Sequence, residues 1–340
     1  MKTIPWRRVL GGILATALLA GIAAAMLPDN EYQRFASLEN TIQNRMRWIY
    51  ERIHYDPAPI DVAFLGPSRS GAAISGPQVE AELRRLGKPV HVVNFSLPEN
   101  GRNLHWVIEQ QLLAAKNPRL LVIAVIEKPG RFGHPAYKYI APAADVVDPA
   151  YFGNLDYLSN LIYLPYRQLR LFAASRFPAL FDLPAGFDPA RYAGSNLDFT
   201  HSFRAGDGTF VDRDSRKSKA ELEAGVRRYE RGVRPPMLGP RFADQEFGDE
   251  RAYVGRMAAM AKARGIPVMF LFIPYYTGSQ IIQERAFYER FGPIMDAGFI
   301  ADHDEWFVDV AHLNHDGAMI MSNWTAPQIA AMLDRQEAVQ

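Results

Sequence analysis

Residues 60–71 read IDVAFLGPSRSG, and this stretch decides the fold. Five of its first six residues, all but Asp61, are apolar and partly β-branched, as a buried strand requires. Gly66 and Pro67 break the run, and the chain then turns toward a helical pattern over residues 77–86. Residues 90–95 (VHVVNF) repeat the strand, followed by a helix over 104–116. Residues 120–126 (LLVIAVI) are almost unbroken in apolar character, which suits a strand buried on both faces. Far downstream, residues 266–273 (IPVMFLFI) read as a fourth strand between helices over 250–264 and 280–291. A weaker fifth strand is expected near residues 299–300, and a last helix over 315–333. Strands alternating with helices imply right-handed crossovers and a flavodoxin-like, doubly wound parallel α/β sheet in the order 2-1-3-4-5. Function in such sheets gathers where loops leave the carboxyl ends of the strands.

Composition narrows the chemistry. The 340 residues are 48% hydrophobic and 22% charged, ordinary for a globular chain. Thirty-eight basic against 37 acidic residues leave a net charge of +1, so nothing favours a nucleic-acid partner. With no cysteine there are no disulfides, thiolate metal sites or cysteine nucleophiles. The Gly-rich signatures of nucleotide sites are absent as well, so no cofactor is implied.

Residues 9–27 (VLGGILATALLAGIAAAML) carry no charge and would reach roughly 28 Å as a helix, close to the hydrocarbon thickness of a bilayer. Lys2, Arg7 and Arg8 precede the run, whereas Asp29 and Glu31 follow it. That asymmetry implies a single-pass inner-membrane anchor with the rest of the chain periplasmic or otherwise outside the cytoplasm. A cleaved signal peptide is the rival reading, since Ala23 and Ala25 offer a cleavage site, but the run is long for a signal core. Residues 1–28 are therefore read as cytoplasmic tip and anchor, and 29–59 as a stalk. The stalk is an amphipathic helix carrying Phe35, Leu38, Ile42, Met46, Ile49 and Ile53 on one face until Pro57 and Pro59 stop it. Residues 60–335 form the α/β domain. Within it 128–249 are an insertion, aromatic and helical from Tyr151 to Phe177, then polar with a hairpin turn at Gly206-Asp207-Gly208. Its default role is a cap over the strand ends, and a substrate groove is the functional alternative.

Two loops stand out. Ser68 follows the first strand in a tight turn, where a hydroxyl is exposed and a backbone N–H is free to meet a developing oxyanion. Near the other end, residues 309–317 read DVAHLNHDG, just before the last helix. A serine needs a base, and the base needs an acid to hold its tautomer. Asp309 and His312, three residues apart in one loop, supply both. In the expected sheet order these loops leave the same edge, so Ser68, His312 and Asp309 can converge as a triad. Arg69 is a candidate for holding substrate beside the nucleophile, and Tyr275 and Tyr276 for sugar stacking after the fourth strand. His315 reads as a helix start rather than a base, and Asp302-His303-Asp304 as a solvated loop rather than a metal site.

Ser in a G-x-S turn after the first strand, with D-x-x-H before the last helix, resembles the SGNH (GDSL-like) hydrolase superfamily. FLGPSRS, VVNFSLPENG, PVMFLFIPYY and VDVAHLNHDGA are similar to its membrane-anchored branch, associated with O-acylation of exported polysaccharides and cell-wall polymers. The resemblance covers parts of residues 60–127 and 250–335. It implies a nucleophile at Ser68, a base at His312 and an orienting acid at Asp309. It further implies an acyl esterase or O-acyltransferase, acetyl by preference, with a polysaccharide or cell-wall polymer as partner, working in a polysaccharide-modification complex. There are departures. Pro67 stands where the family has Asp before the nucleophile. Its second-block Gly falls within Asn94–Gly101, where Gly101 is the only glycine. The third-block Asn is replaced by Glu127-Lys128-Pro129, leaving Asn94 or Asn100 as the substitute oxyanion donor. The other functional class open to such a chain is an inactive scaffold that binds glycan or assembles a secretion complex.

Overall fold

A computed structural model describes residues 6–126, 130–232 and 237–338. In chain order, α1 (Trp6–Ala25) leads into α2 (Glu31–Ala36) and α3 (Arg45–His54). The first strand β1 (Val62–Leu65) follows, then α4 (Ser68–Ala73), α5 (Gly76–Arg85), β2 (Val92–Asn94), α6 (Arg102–Ala115) and β3 (Leu120–Ala124). The insertion holds α7 (Tyr137–Ile140), α8 (Ala143–Val147), α9 (Tyr157–Arg176), the hairpin β4 (Phe203–Arg204) and β5 (Phe210–Val211), α10 (Lys219–Arg231) and α11 (Ala243–Glu246). The chain returns through α12 (Gly248–Ala263), β6 (Val268–Phe272), α13 (Arg285–Tyr288), β7 (Ile294–Asp296) and α14 (His315–Glu337).

Five strands form one parallel sheet in the order β2-β1-β3-β6-β7, the doubly wound arrangement expected from the alternation. Strand side chains alternate between two cores. Ala63, Leu65, Leu121, Ile123, Phe270 and Phe272 face a core built with α2, α3, α6 and α12. Val62, Phe64, Leu120, Val122, Met269 and Leu271 face the core built with α4, α5 and α14. Because both faces are covered, the strands have no polar side, and this produced their continuous apolar sequences.

Three expectations need correction. Residues 29–56 form two helices rather than one, and they do not stand off as a stalk. Thr41 ends the first segment through its own turn, its hydroxyl donating to the Leu38 carbonyl and accepting from the Gln43 N–H. Phe35, Leu38, Met46, Ile49 and Ile53 are then buried in the main core, since an apolar face of that width is stable only when covered. The last strand lies at Ile294–Asp296; residues 299–300 fall in a 3₁₀ turn, where the Asp296 carboxylate accepts the Gly298 N–H and ends the strand. The helix expected over 280–291 shrinks to α13, because Ser279 turns the chain by bonding both the N–H and the carbonyl of Ile281.

Among the described residues, α1 is the one helix long and apolar enough to cross a membrane, with a mean hydropathy of 1.8 and no buried residue. It touches α9: Gly21 faces Pro165, and the Gln168 side chain donates to the Leu27 carbonyl at 2.9 Å. The aromatic stretch in α9 is only half core. Leu164, Leu171 and Ala174 are buried, whereas Leu158, Ile162, Tyr166 and Leu169 are exposed.

Candidate active site

The turn after β1 is set by close packing. A Cβ on Gly66 would lie 2.2 Å from Ser70 Oγ and 2.6 Å from Ala124 Cβ, so only glycine fits between β3 and the first turn of α4. Pro67 caps that helix in extended conformation, its carbonyl accepting from the Gly71 N–H and the Ser70 hydroxyl. Ser68 is the first helical residue and is partly exposed. The N–H groups of this first turn have no intrahelical acceptor.

The second loop is held by its own backbone. Val308 N–H bonds the His312 carbonyl, Phe307 bridges Leu313, and Tyr276 N–H bonds the Val310 carbonyl. Asn314 caps α14 through the Gly317 N–H and ties its amide to the Glu305 carbonyl. Asp309 Oδ1 accepts the N–H groups of Ala311 and His312.

These loops meet. His312 Nε2 lies 2.8 Å from Ser68 Oγ, and His312 Nδ1 lies 2.9 Å from both Asp309 carboxylate oxygens. With Nδ1–H donating to Asp309, Nε2 is the acceptor for the serine proton. Partial desolvation opposes ionisation of Asp309. The hydrogen bond and charge of His312, the Ala311 N–H and the Arg213 guanidinium outweigh it and hold the carboxyl below its usual range. The arrangement can take a proton from a hydroxyl and return it to a leaving group.

Two cavities open on either side of Ser68 and His312. One, about 320 Å³, is walled by the carboxyl ends of β3 and β6 (Val125, Ile126, Ile273, Pro274) with Arg69, Asn100 and Tyr275. The other, about 450 Å³, lies under the hairpin and is lined by Phe203, Phe210, Arg45 and Arg213. The insertion is therefore a wall of the site as well as a cover.

The remaining candidates divide. Arg69 donates to the Ile273 carbonyl at 3.1 Å and to the Tyr229 hydroxyl at 3.4 Å, within the first cavity. Tyr275 lines the same cavity and donates to Glu230 at 3.3 Å, whereas Tyr276 is buried against Phe307. Asn94 is not available as an oxyanion donor. Both hydrogens of its amide are spent on the carbonyls of Ser70 and Ile74, and its oxygen accepts from Ser96. Gly101 caps α6 at φ +148° with His134 pressed against it, a Cβ there falling 2.1 Å from the His134 nitrogen. It lines neither cavity. Glu127, Lys128 and Pro129 lie outside the described residues. His315 begins α14, stacks on His201 and faces Thr200. His303 stacks on Trp306 beside Glu305, and no metal-binding cluster occurs among the described residues.

Sequence reading missed three arginines. Arg102 donates to Glu250 and to the Ala124 carbonyl, fixing the end of β3 from beneath. Arg45 and Arg213 are almost completely buried beside the loops that carry Ser68 and His312. An arginine in a helical or polar stretch carries no signal that the tertiary fold will enclose it.

No family model matches the chain, and no curated protein matches it. Among solved structures it is similar to a provisionally assigned acylhydrolase from Bacteroides fragilis. The identity is 11% and the TM-score 0.35, over 86% of this chain and 98% of the other. A likeness this distant carries no argument about activity.

Proposed function

We propose that the protein is an exported, membrane-anchored acyl esterase or O-acyltransferase acting on a polysaccharide or cell-wall polymer. One observation carries the reading: the continuous hydrogen-bonded chain from Ser68 Oγ through His312 to Asp309. In the proposed cycle Ser68 Oγ attacks an ester carbonyl while His312 Nε2 takes its proton. Collapse breaks the ester C–O bond, and His312 returns the proton to the departing alkoxide. Water or a sugar hydroxyl then attacks the acyl-enzyme and gives its proton to His312, which passes it to Ser68 Oγ as the acyl–oxygen bond breaks. The Ser68 N–H is the first oxyanion donor, and the Asn100 amide, which lines the same cavity, is the second.

The anchor reading is supported by α1 and by the exposed apolar face of α9 beside it. The polymer reading is supported by cavities that open on two sides of one serine, as a reaction between two bulky partners needs. The direct test is labelling by a fluorophosphonate, with turnover of an activated acetyl ester as the second readout. Labelling lost in Ser68→Ala supports the enzyme. A parent protein that neither labels nor turns over rejects it. That outcome would favour the scaffold reading, for which the commitment of Asn94 to the backbone is the motivating observation.

A further inference from the structure

The cavity beneath the hairpin has an unusual charge arrangement. Arg45 and Arg213 are only 6% and 7% exposed, so both guanidiniums have left water. Arg45 lies over the Phe199 ring, 3.2 Å from its centroid, and its Nη1 reaches the Ser96 carbonyl at 3.4 Å. Arg213 bonds the Asp212 carbonyl at 3.1 Å. The Nε of each is buried without a hydrogen-bond partner. Among the described residues neither forms an ion pair, although both line the cavity that touches Ser68 and His312.

The nearby carboxylates are already engaged. Asp198 accepts from Ser75 and Thr200. Asp212 accepts from Ser202, Asp214 and Ser215. Asp309 serves His312. Glu99 also lines the cavity, but burial alone raises its carboxyl and neither arginine acts on it, so it is not their counter-ion. The two arginines also repel each other, and burial drives both away from the charged form. Asp309 and Asp212 favour the charge of Arg213, and Asp198 that of Arg45, but none forms an ion pair with them, and buried cations without a paired counter-ion are costly to keep unless something else neutralises them. A guanidinium is built to bind a planar or tetrahedral oxyanion through more than one N–H. Lys217 stands exposed on the same lining, a third cation on the approach.

We infer that this cavity is an anion subsite, in which Arg45, Arg213 and Lys217 hold a carboxylate or phosphate group of the polymer while its neighbouring ester or hydroxyl reaches Ser68. The inference deepens the proposed function and rests on it for the role of Ser68. It makes the substrate a charged polymer, a polyuronate or a polyol phosphate, rather than a neutral glucan.

The test is binding by the full chain in detergent, carrying Ser68→Ala to stop turnover, with calorimetry against three probes: tetragalacturonate, a glycerol-phosphate tetramer and cellotetraose. One or both anionic probes should bind at least tenfold more tightly than cellotetraose, and added salt should weaken them. Tight binding by the first alone assigns a carboxylate ligand, and by the second alone a phosphate ligand. Arg213→Gln should cost about tenfold. Lys217→Ala, an exposed change that leaves the core intact, should reduce both affinity and its salt dependence. Equal affinity for all three probes overturns the inference, as does anion binding that neither substitution weakens. This outcome is separable from the catalytic reading. A parent chain that labels with fluorophosphonate but ignores charge loses only the subsite, whereas one that binds anions without labelling loses only the nucleophile.

Discussion

His312 Nε2 sits 2.8 Å from Ser68 Oγ although 244 residues separate them in the chain. No local preference could bring them together; the parallel sheet does. β1 and β7 both point their carboxyl ends toward one rim, and the loops that follow them carry the serine and the histidine there. If that contact is catalytic, Ser68→Ala and His312→Ala should each lower ester turnover by at least about 10³-fold. The double variant should be little worse than either single one, because the two groups act as a unit. Multiplying losses in the double variant would mean independent roles and would sink the triad.

In the proposed triad Asp309 has a narrower job. Its carboxylate fixes His312 with Nδ1–H inward and Nε2 free, and it remains ionised because His312, Ala311 and Arg213 all favour the charge. Asp309→Asn should keep the fold and still lower kcat by about 10³–10⁴, since an amide can stabilise the opposite tautomer. Melting temperature and ester turnover, measured together, separate this from a folding defect. Turnover within a few-fold of the parent would show that the acid is not needed.

Gly66 tests the link between packing and chemistry. A methyl group there meets Ser70 Oγ at 2.2 Å and Ala124 Cβ at 2.6 Å, so Gly66→Ala must shift the turn that carries Ser68. Misplacing a reacting atom by about 1 Å costs as much as 10²-fold. Fluorophosphonate labelling should slow by at least tenfold, and adding Ser70→Gly, which removes the nearest clash, should restore part of the rate. Unchanged labelling in Gly66→Ala would mean that the turn tolerates the extra volume.

Much of this architecture was legible beforehand, for identifiable reasons. Strands buried on both faces leave continuous apolar runs, which is why residues 120–126 announced β3. The D-x-x-H loop was legible because one short segment holds both a carboxylate and the imidazole that it bonds. β7 was not, because three residues between Pro293 and Ala297 carry too little pattern to distinguish a strand from a turn. The break between α2 and α3 hid behind an apolar periodicity that runs through it, since both halves pack on the same core. Arg45 was invisible for a different reason. It is buried by Phe199 and Phe203, which arrive from the insertion some 150 positions later, and no local reading anticipates that cover.

Asp249 gives the fold a pH signature of its own. Burial raises its carboxyl to about 7, with Glu250 and Asp156 adding to the rise and the Asn154 hydrogen bond opposing it. The unfolded value is near ~3.9, so the folded state binds the proton more tightly between the two. Stability associated with this group is therefore complete below about pH 4 and is lost as the pH rises through 7. Asp249→Asn should raise the melting temperature by several degrees at pH 8.5 and change it little at pH 4. The same shift at both values would show that the carboxyl does not titrate in this range.

The exposed side of α9 makes the last prediction. Leu158, Ile162, Tyr166 and Leu169 recur at helical spacing, and Ile162 is 74% exposed. An isolated apolar side chain in water needs no explanation, but a stripe beside a helix of membrane-spanning length does. If α1 lies in a bilayer, its contact with α9 through Gly21 and Pro165 brings that stripe to the lipid boundary. The absence of cysteine allows a single label at any site. An environment-sensitive fluorophore on Ile162→Cys, in the full chain reconstituted into liposomes, should emit to the blue and be quenched by a lipid-borne quencher. The same label on Thr209→Cys, at the exposed hairpin tip, should report water. Water-like emission from both positions would detach α9 from the membrane and leave α1 as the only contact proposed.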